Sequence, residues 1–228
     1  MSPRLRVAWR QSTLRIIRVH PPVPAPYDQH TVHAAPAHDP VRARAVVAGL
    51  STVASVAEEL EPVLRRDDTG PRYTDELDLV TVGCWGGIVQ ISDPAFGEDG
   101  VLSSNLDAAF TAQVAAHPEA RITAVCEMYS AESYGKYLAQ VPGLPPLSAD
   151  GWDDQDTTGN LAALLRATGA ACPDGDEDDD PYIDAETLDP LAGGLHSVYA
   201  GENLLVSRFR VTRTEEVREA LDDVWRED

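Results

Sequence analysis

The most informative pattern of apolar and polar positions runs from Leu77 to Phe96, L-D-L-V-T-V-G-C-W-G-G-I-V-Q-I-S-D-P-A-F. Two apolar, β-branched runs flank a break at Gly83, Gly86 and Gly87, which predicts two strands and a turn. Leu77 to Val82 is almost continuously apolar, so this strand is expected to be covered on both faces. Ile88 to Ser92 alternates, with Gln90 and Ser92 opposite Val89 and Ile91. Asp93-Pro94 ends the second strand, because proline has no N–H to give a ladder. This hairpin is expected at the centre of the core.

The rest of the chain is read against it. Thr13 to Val19 predicts a strand whose Arg15 and Arg18 mark exposed positions, as on an edge strand where charge discourages aggregation. An arginine-bearing strand in an acidic protein can also take an anion, but the edge reading is preferred, with the arginines meeting the protein's own carboxylates. Asp39-Pro40 opens a helix, Asp as N-cap and Pro in the first turn. Ser55 and Glu58 have capping-box spacing and predict a second helix, which Pro62 shortens. Residues 65–74 read as loop. Leu106, Phe110 and Val114 recur on one helical face, capped by Ser103 or Ser104. In Ile122 to Tyr129, Ile122, Ala124, Cys126 and Met128 point one way and Thr123, Val125, Glu127 and Tyr129 the other, with a return strand through Tyr134 to Ala139.

Residues 141–157, rich in Pro, Gly and Asp around Trp152, read as loop, and Thr158 to Thr168 as a short helix. Leu204 to Val211 is a strand, and Thr212 with Glu215 opens a last helix that packs through Val217, Leu221 and Val224. Together these predict an α+β fold: a mainly antiparallel sheet of about five to seven strands with helices packed on it. One structural domain is expected, residues 1–38 forming a strand and a Pro/His-rich loop ahead of a core at 39–228, with an acidic loop near 170–190.

Composition narrows the partners. The chain has 228 residues, 43% of them hydrophobic, which is enough to bury a core. Its 18 basic residues against 38 acidic ones give a net charge of −20, which speaks against nucleic acid and anionic membranes; it is compatible with a basic protein partner, beside the preferred reading that the acidity keeps the protein soluble. Cys84, Cys126 and Cys172 have no metal-ligating or disulfide-framework spacing, so a reduced, cytoplasmic chain is expected. Arg10, Arg15 and Arg18 interrupt any secretory h-region, and no apolar run is long enough to span a membrane.

Each candidate for chemistry has a plainer reading beside it. Asp174, Asp176 and Asp178 take the first ligand positions of a calcium loop, but Asp179 stands where its glycine belongs and Ala185 where its glutamate belongs, so a solvated loop is preferred. His30, His33 and His38 lie in the proline-rich loop with no metal-binding spacing. No metal and no cofactor is expected. Cys84 at the glycine turn has the place of a nucleophile but acidic surroundings that raise a thiol pKa, and Trp85 is either a core lid or a binding anchor. Glu127 and Tyr129 share a strand face, and Asp93 ends another strand, as carboxylates for acid–base work would. Cys84, Trp85, Asp93, Glu127 and Tyr129 are therefore the candidate binding residues, with no catalytic residue assigned.

The runs D-L-V-T-V-G-C-W-G-G-I-V-Q-I-S-D-P-A (Asp78 to Ala95), D-P-V-R-A-R-A (Asp39 to Ala45) and F-R-V-T-R-T (Phe209 to Thr214) resemble a family of uncharacterised actinobacterial proteins of unknown function. A single lysine, Lys136, among 18 basic residues fits such high-GC coding. The resemblance implies no activity and carries over no catalytic residue. The expectation is a non-enzymatic binding protein of the toxin-immunity kind, and the alternative is a small hydrolase with a pocket near the 83–93 hairpin.

Overall fold

A computed structural model describes residues 5–9, 11–22, 36–68, 70–98, 105–129, 133–152, 154–170, 182–195 and 203–225. Among them, one antiparallel sheet carries nine strands and four α-helices surround it. The strands are β1 (Gln11–Val19), β2 (Ser55–Leu64), β3 (Leu79–Trp85), β4 (Ile88–Ser92), β5 (Arg121–Tyr129), β6 (Ser133–Gln140), β7 (Leu147–Gly151), β8 (Gln155–Thr158) and β9 (Leu205–Thr212). The helices are α1 (Pro40–Ala48), α2 (Asn105–Ala116), α3 (Leu161–Thr168) and α4 (Glu215–Trp225). The sheet order is β2-β9-β3-β4-β1-β5-β6-β7-β8. The α+β class and the antiparallel sheet are as expected; the strand number is higher.

Three strands escaped the sequence reading. The 55–64 segment is not a helix but edge strand β2, paired with β9 through two register shifts. A four-residue capping spacing is a weak signal. Pro62, costly inside a helix, is tolerated where an edge strand's N–H would face water. Exposed Glu58, Glu59 and Glu61 then blunt this edge. β7 and β8 lie in the Pro/Gly/Asp-rich segment, where Leu147 and Ala149 are buried but all of β8 is polar, so no alternation was visible.

The larger correction concerns β1. It is the middle strand of the sheet, between β4 and β5, and not an edge. Arg15 and Arg18 are only 7% and 5% exposed.

Side chains of successive residues leave opposite faces of the sheet. On one face Leu14, Ile16, Val80, Val82, Ile91, Ile122, Met128 and Phe209 pack against Ala43 and Val47 of α1, Phe110 of α2 and Leu221 and Trp225 of α4. On the other face Val125, Tyr137 and Leu147 meet Leu161, Leu164 and Leu165 of α3 together with Ile183, Leu188 and Leu191. A further group on that second face gathers Ile17, Val19, Trp85, Ile88 and Val206 under Ala192 and Leu195.

The hairpin stands near the centre, as predicted. Its two-residue turn has Gly86 at φ 56°, which glycine reaches without steric cost. Trp85 folds back over Gly83, where a Cβ would lie 2.0 Å from the indole ring, so the glycine leaves the space the ring fills. The indole N–H donates to the Leu205 carbonyl at 3.1 Å. Asp39 caps α1 by accepting from the Arg42 amide at 3.0 Å, as read. α4 is capped through the Thr214 hydroxyl, which accepts from the Val217 amide at 3.3 Å, rather than through Thr212. No described helix is long and apolar enough to cross a membrane.

Candidate functional site

The second face of the sheet is apolar where Val125 of β5, Tyr137 and Ala139 of β6 and Leu147 and Ala149 of β7 pack, and over one end of β3, β4, β1 and β9. At the other end of those four strands it turns polar. The register explains how: Arg208 of β9 is opposite Thr81 of β3, Thr81 opposite Ser92 of β4, and Ser92 opposite Arg15 of β1. Directly opposed residues share a face, so one cross-strand row reads Arg-Thr-Ser-Arg. With strands about 4.8 Å apart, the two arginine backbones stand about 14 Å from each other.

The chain leaving β2 walls this row. Arg65 Nε donates to Gln90 Oε1 at 2.8 Å, and Gln90 donates to Ser92 Oγ at 3.3 Å. Thr81 Oγ1 donates to Asp68 Oδ2 at 2.5 Å. Burial raises the Asp68 pKa above the usual carboxylate value, while hydrogen bonds from Thr81 and Ser92 and the charges of Arg208 and Arg65 pull the other way. The result is a cleft of about 930 Å³, lined by Thr13 and Arg15, by Arg65 to Asp68, by Thr81, Gln90 and Ser92, and by Tyr129 and Arg208. That volume suits a small-molecule site.

Buried Arg15 is distinguished by its terminal groups. Its Nε lacks a hydrogen-bond partner, as do those of Arg18 and Arg213, but those two guanidiniums bond through their terminal nitrogens, whereas among the described residues the Arg15 guanidinium makes no hydrogen bond. Burial first, and then the neighbouring Arg65, bring its pKa down to about 10, against the opposing pull of Glu127 and Asp189. A guanidinium has five N–H donors and does not deprotonate at neutral pH, so it stays cationic and under-satisfied. Burying such a group is costly unless a partner comes to it.

The residues singled out from sequence are divided by the sheet. Tyr129 lines the cleft, 39% exposed, and burial together with Glu127 pushes its phenol up to about 12. Glu127 lies next to it on the same face, buried, accepting from Tyr137 Oη and from the Ala185 amide, both at 3.2 Å. Asp93 borders the cleft, but its fully buried carboxylate is on the helix side. It binds Arg213 at 2.7 and 3.0 Å through both oxygens, and takes the Thr52 hydroxyl at 2.6 Å and the Ala95 amide at 2.9 Å. Its capacity is used, and it does not converge with Glu127.

Cys84 is buried on the helix side as well, and burial pushes its thiol up to about 11, so it is protonated at neutral pH. A histidine does reach it, but at the backbone: the Cys84 amide donates to His38 Nδ1 at 3.2 Å, and His38 Nε2 pairs with Ser207 Oγ at 2.9 Å. Trp85, 2% exposed, belongs to the core. His30, His33 and the run Asp174, Asp176, Asp178 lie outside the described residues.

Sequence reasoning missed Arg65, Asp68, Thr81, Gln90, Ser92 and Arg208 as a set. The signal was present in part. Thr81, Gln90 and Ser92 are polar positions inside strands otherwise built of valine and isoleucine, but only the strand order β9-β3-β4-β1 puts them in one row with Arg15.

Comparison with curated proteins and with solved structures found no match. A family model does match over residues 2–228, so the chain belongs to DUF6333, a family of unknown function.

Proposed function

We propose that this is a non-catalytic binding protein whose ligand is a small organic anion, a carboxylate or a phosphate ester, held in the cleft by Arg15. The observation that carries the reading is the Arg15 guanidinium, buried on the cleft floor with its Nε unpartnered. An anion supplies the missing acceptor and offsets the repulsion between Arg15 and Arg65. Arg208 flanks the row, while Thr81, Ser92 and Gln90 offer polar atoms for the ligand's remaining groups. The buried, unpaired Cys84 and Cys126 support a reducing, cytoplasmic setting.

The test is a thermal-shift and calorimetric screen of the full chain against mono- and dicarboxylates and phosphate esters. An anion that raises the melting temperature of the wild type and not of Arg15→Met supports the reading. Failure of every anion, or equal binding by Arg15→Met, overturns it.

A hydrolase has the cleft and Tyr129 in its favour. Against it stand the protonated Cys84 and the commitments of Asp93 to Arg213 and of Glu127 to Tyr137 and Ala185. A basic protein partner rests on the net charge of −20. It predicts a pull-down partner whose retention falls steeply with salt and is indifferent to Arg15→Met.

A further inference from the structure

A second cluster lies at the opposite end of β1, five residues beyond Arg15 and so about 17 Å along the strand. We propose that His20, His117 and Glu119 form a binding site for a divalent cation of the zinc class, with three protein ligands and a fourth position open to solvent. One ligand atom from each residue lies within 4.8 Å of the other two. His20 Nδ1 and Glu119 Oε1 are 3.2 Å apart, close to the edge of a tetrahedron with metal–ligand bonds of about 2.0–2.1 Å. His117 then closes by a side-chain rotation, its ring now standing edge-on to His20 with centroids 5.1 Å apart.

The backbone holds this arrangement in place. The His20 amide donates to the Gly87 carbonyl at 2.9 Å, and the turn after α2 is fixed by His117 N–H to Gln113 O and Ala120 N–H to His117 O, each 3.0 Å.

Two cations stand nearby. Arg18 is bound to the Gln113 side chain and Arg42 to the Gly86 carbonyl at 2.6 Å; their charges oppose a cation at the site and the Glu119 carboxylate acts against them. Glu119 supplies the only carboxylate of the cluster. Two imidazoles and one carboxylate favour zinc over the hard cations calcium and magnesium.

The experiment titrates the full chain with zinc, and with cobalt as a spectroscopic substitute. One equivalent bound, a visible cobalt spectrum of tetrahedral type and a zinc-dependent rise in melting temperature are expected. His20→Ala, His117→Ala and Glu119→Gln should each weaken binding by about 100-fold or more, at or beyond the upper end for losing an outer-shell partner. Glu119 and His117 are accessible enough that their variants fold, which keeps the test decisive should His20→Ala fail to fold. No zinc-dependent stabilisation of the wild type overturns the proposal. So does zinc binding that persists unchanged in His117→Ala and Glu119→Gln, which would move the metal to the other histidines or the acidic run. Arg15→Met should bind zinc normally, so this site and the cleft fail or stand separately.

Discussion

Arg213, just past β9, and Arg15 of β1 are both buried arginines, 5% and 7% exposed, and they are treated differently. On the helix side, Arg213 makes two bonds to Asp93 and further bonds to the carbonyls of Leu77 at 2.9 Å and Thr52 at 3.3 Å. Asp93 is closed in turn by Thr52 and Ala95. On the other side, among the described residues, no hydrogen bond or ion pair holds the Arg15 guanidinium, and Glu127 and Asp189 act on it only through their charge. The first region is a polar knot, closed except at the Arg213 Nε, that ties α4 and the Leu50–Val53 turn to the end of β4. The second has the same chemistry left open, beside a cavity. Burial alone therefore does not separate a structural charge from a functional one; the count of satisfied donors does.

Breaking the knot should give the largest effect. Asp93→Ala or Arg213→Ala leaves its partner buried and uncompensated, so each should cost about 3–5 kcal/mol of folding stability, read by denaturant or thermal melts. The double replacement Asp93→Leu with Arg213→Met should recover most of that loss, since an apolar pair of similar volume needs no partner. Additive losses in the double variant would show that the knot acts by position and not by pairing.

Arg15→Met sharpens the contrast. Its stem packs on the sheet, which methionine reproduces, and Glu127 keeps the Tyr137 and Ala185 bonds. The stability cost should stay under about 1 kcal/mol, near that of one ordinary hydrogen bond. Affinity for the anion should instead fall about 10- to 100-fold, the scale of a charge-assisted bond of about 1.5–3 kcal/mol. A stability loss as large as that of Arg213→Ala would mean that Arg15 is structural and the cleft incidental.

The sequence pattern resolved the central hairpin, the β5–β6 pair and the packing faces of α4, because there each apolar residue reports on one local neighbour. It failed for β1, whose arginines have the composition of an edge strand. Their burial depends on β4 and β5, which are more than 60 residues away in sequence and whose Ser92 and Val125 flank Arg15. The site was half legible for the same reason. Tyr129 and Glu127 share a face by simple alternation, whereas Asp93 and Glu127 are parted by a parity that only the strand order reveals. Cys84 attracted notice as the thiol at a glycine turn, yet Trp85, not Cys84, faces the cleft side, folded over Gly83.

The smallest effect, and the most direct reading of the cleft's field, comes from Asp68. Burial raises its folded pKa above the ordinary 3.8, so the protonated carboxyl is the form the fold prefers. Its contribution is fully present below that ordinary value and is lost as pH rises through the higher folded pKa. Asp68→Asn, which is neutral at every pH, should match the wild type in strong acid and become the more stable protein as pH passes through and above the carboxylate range. The gap should be under about 1 kcal/mol, because Thr81 keeps an acceptor in the amide oxygen. The same change removes a negative charge beside Arg65 and Arg208, so anion affinity should rise by up to about tenfold at neutral pH, and by less at high salt. An Asp68→Asn variant that binds anions more weakly would place the carboxylate in contact with a donor on the ligand. The cleft would then recognise a molecule with both an acid and a proton-bearing group, with Arg15 and Asp68 at its two ends.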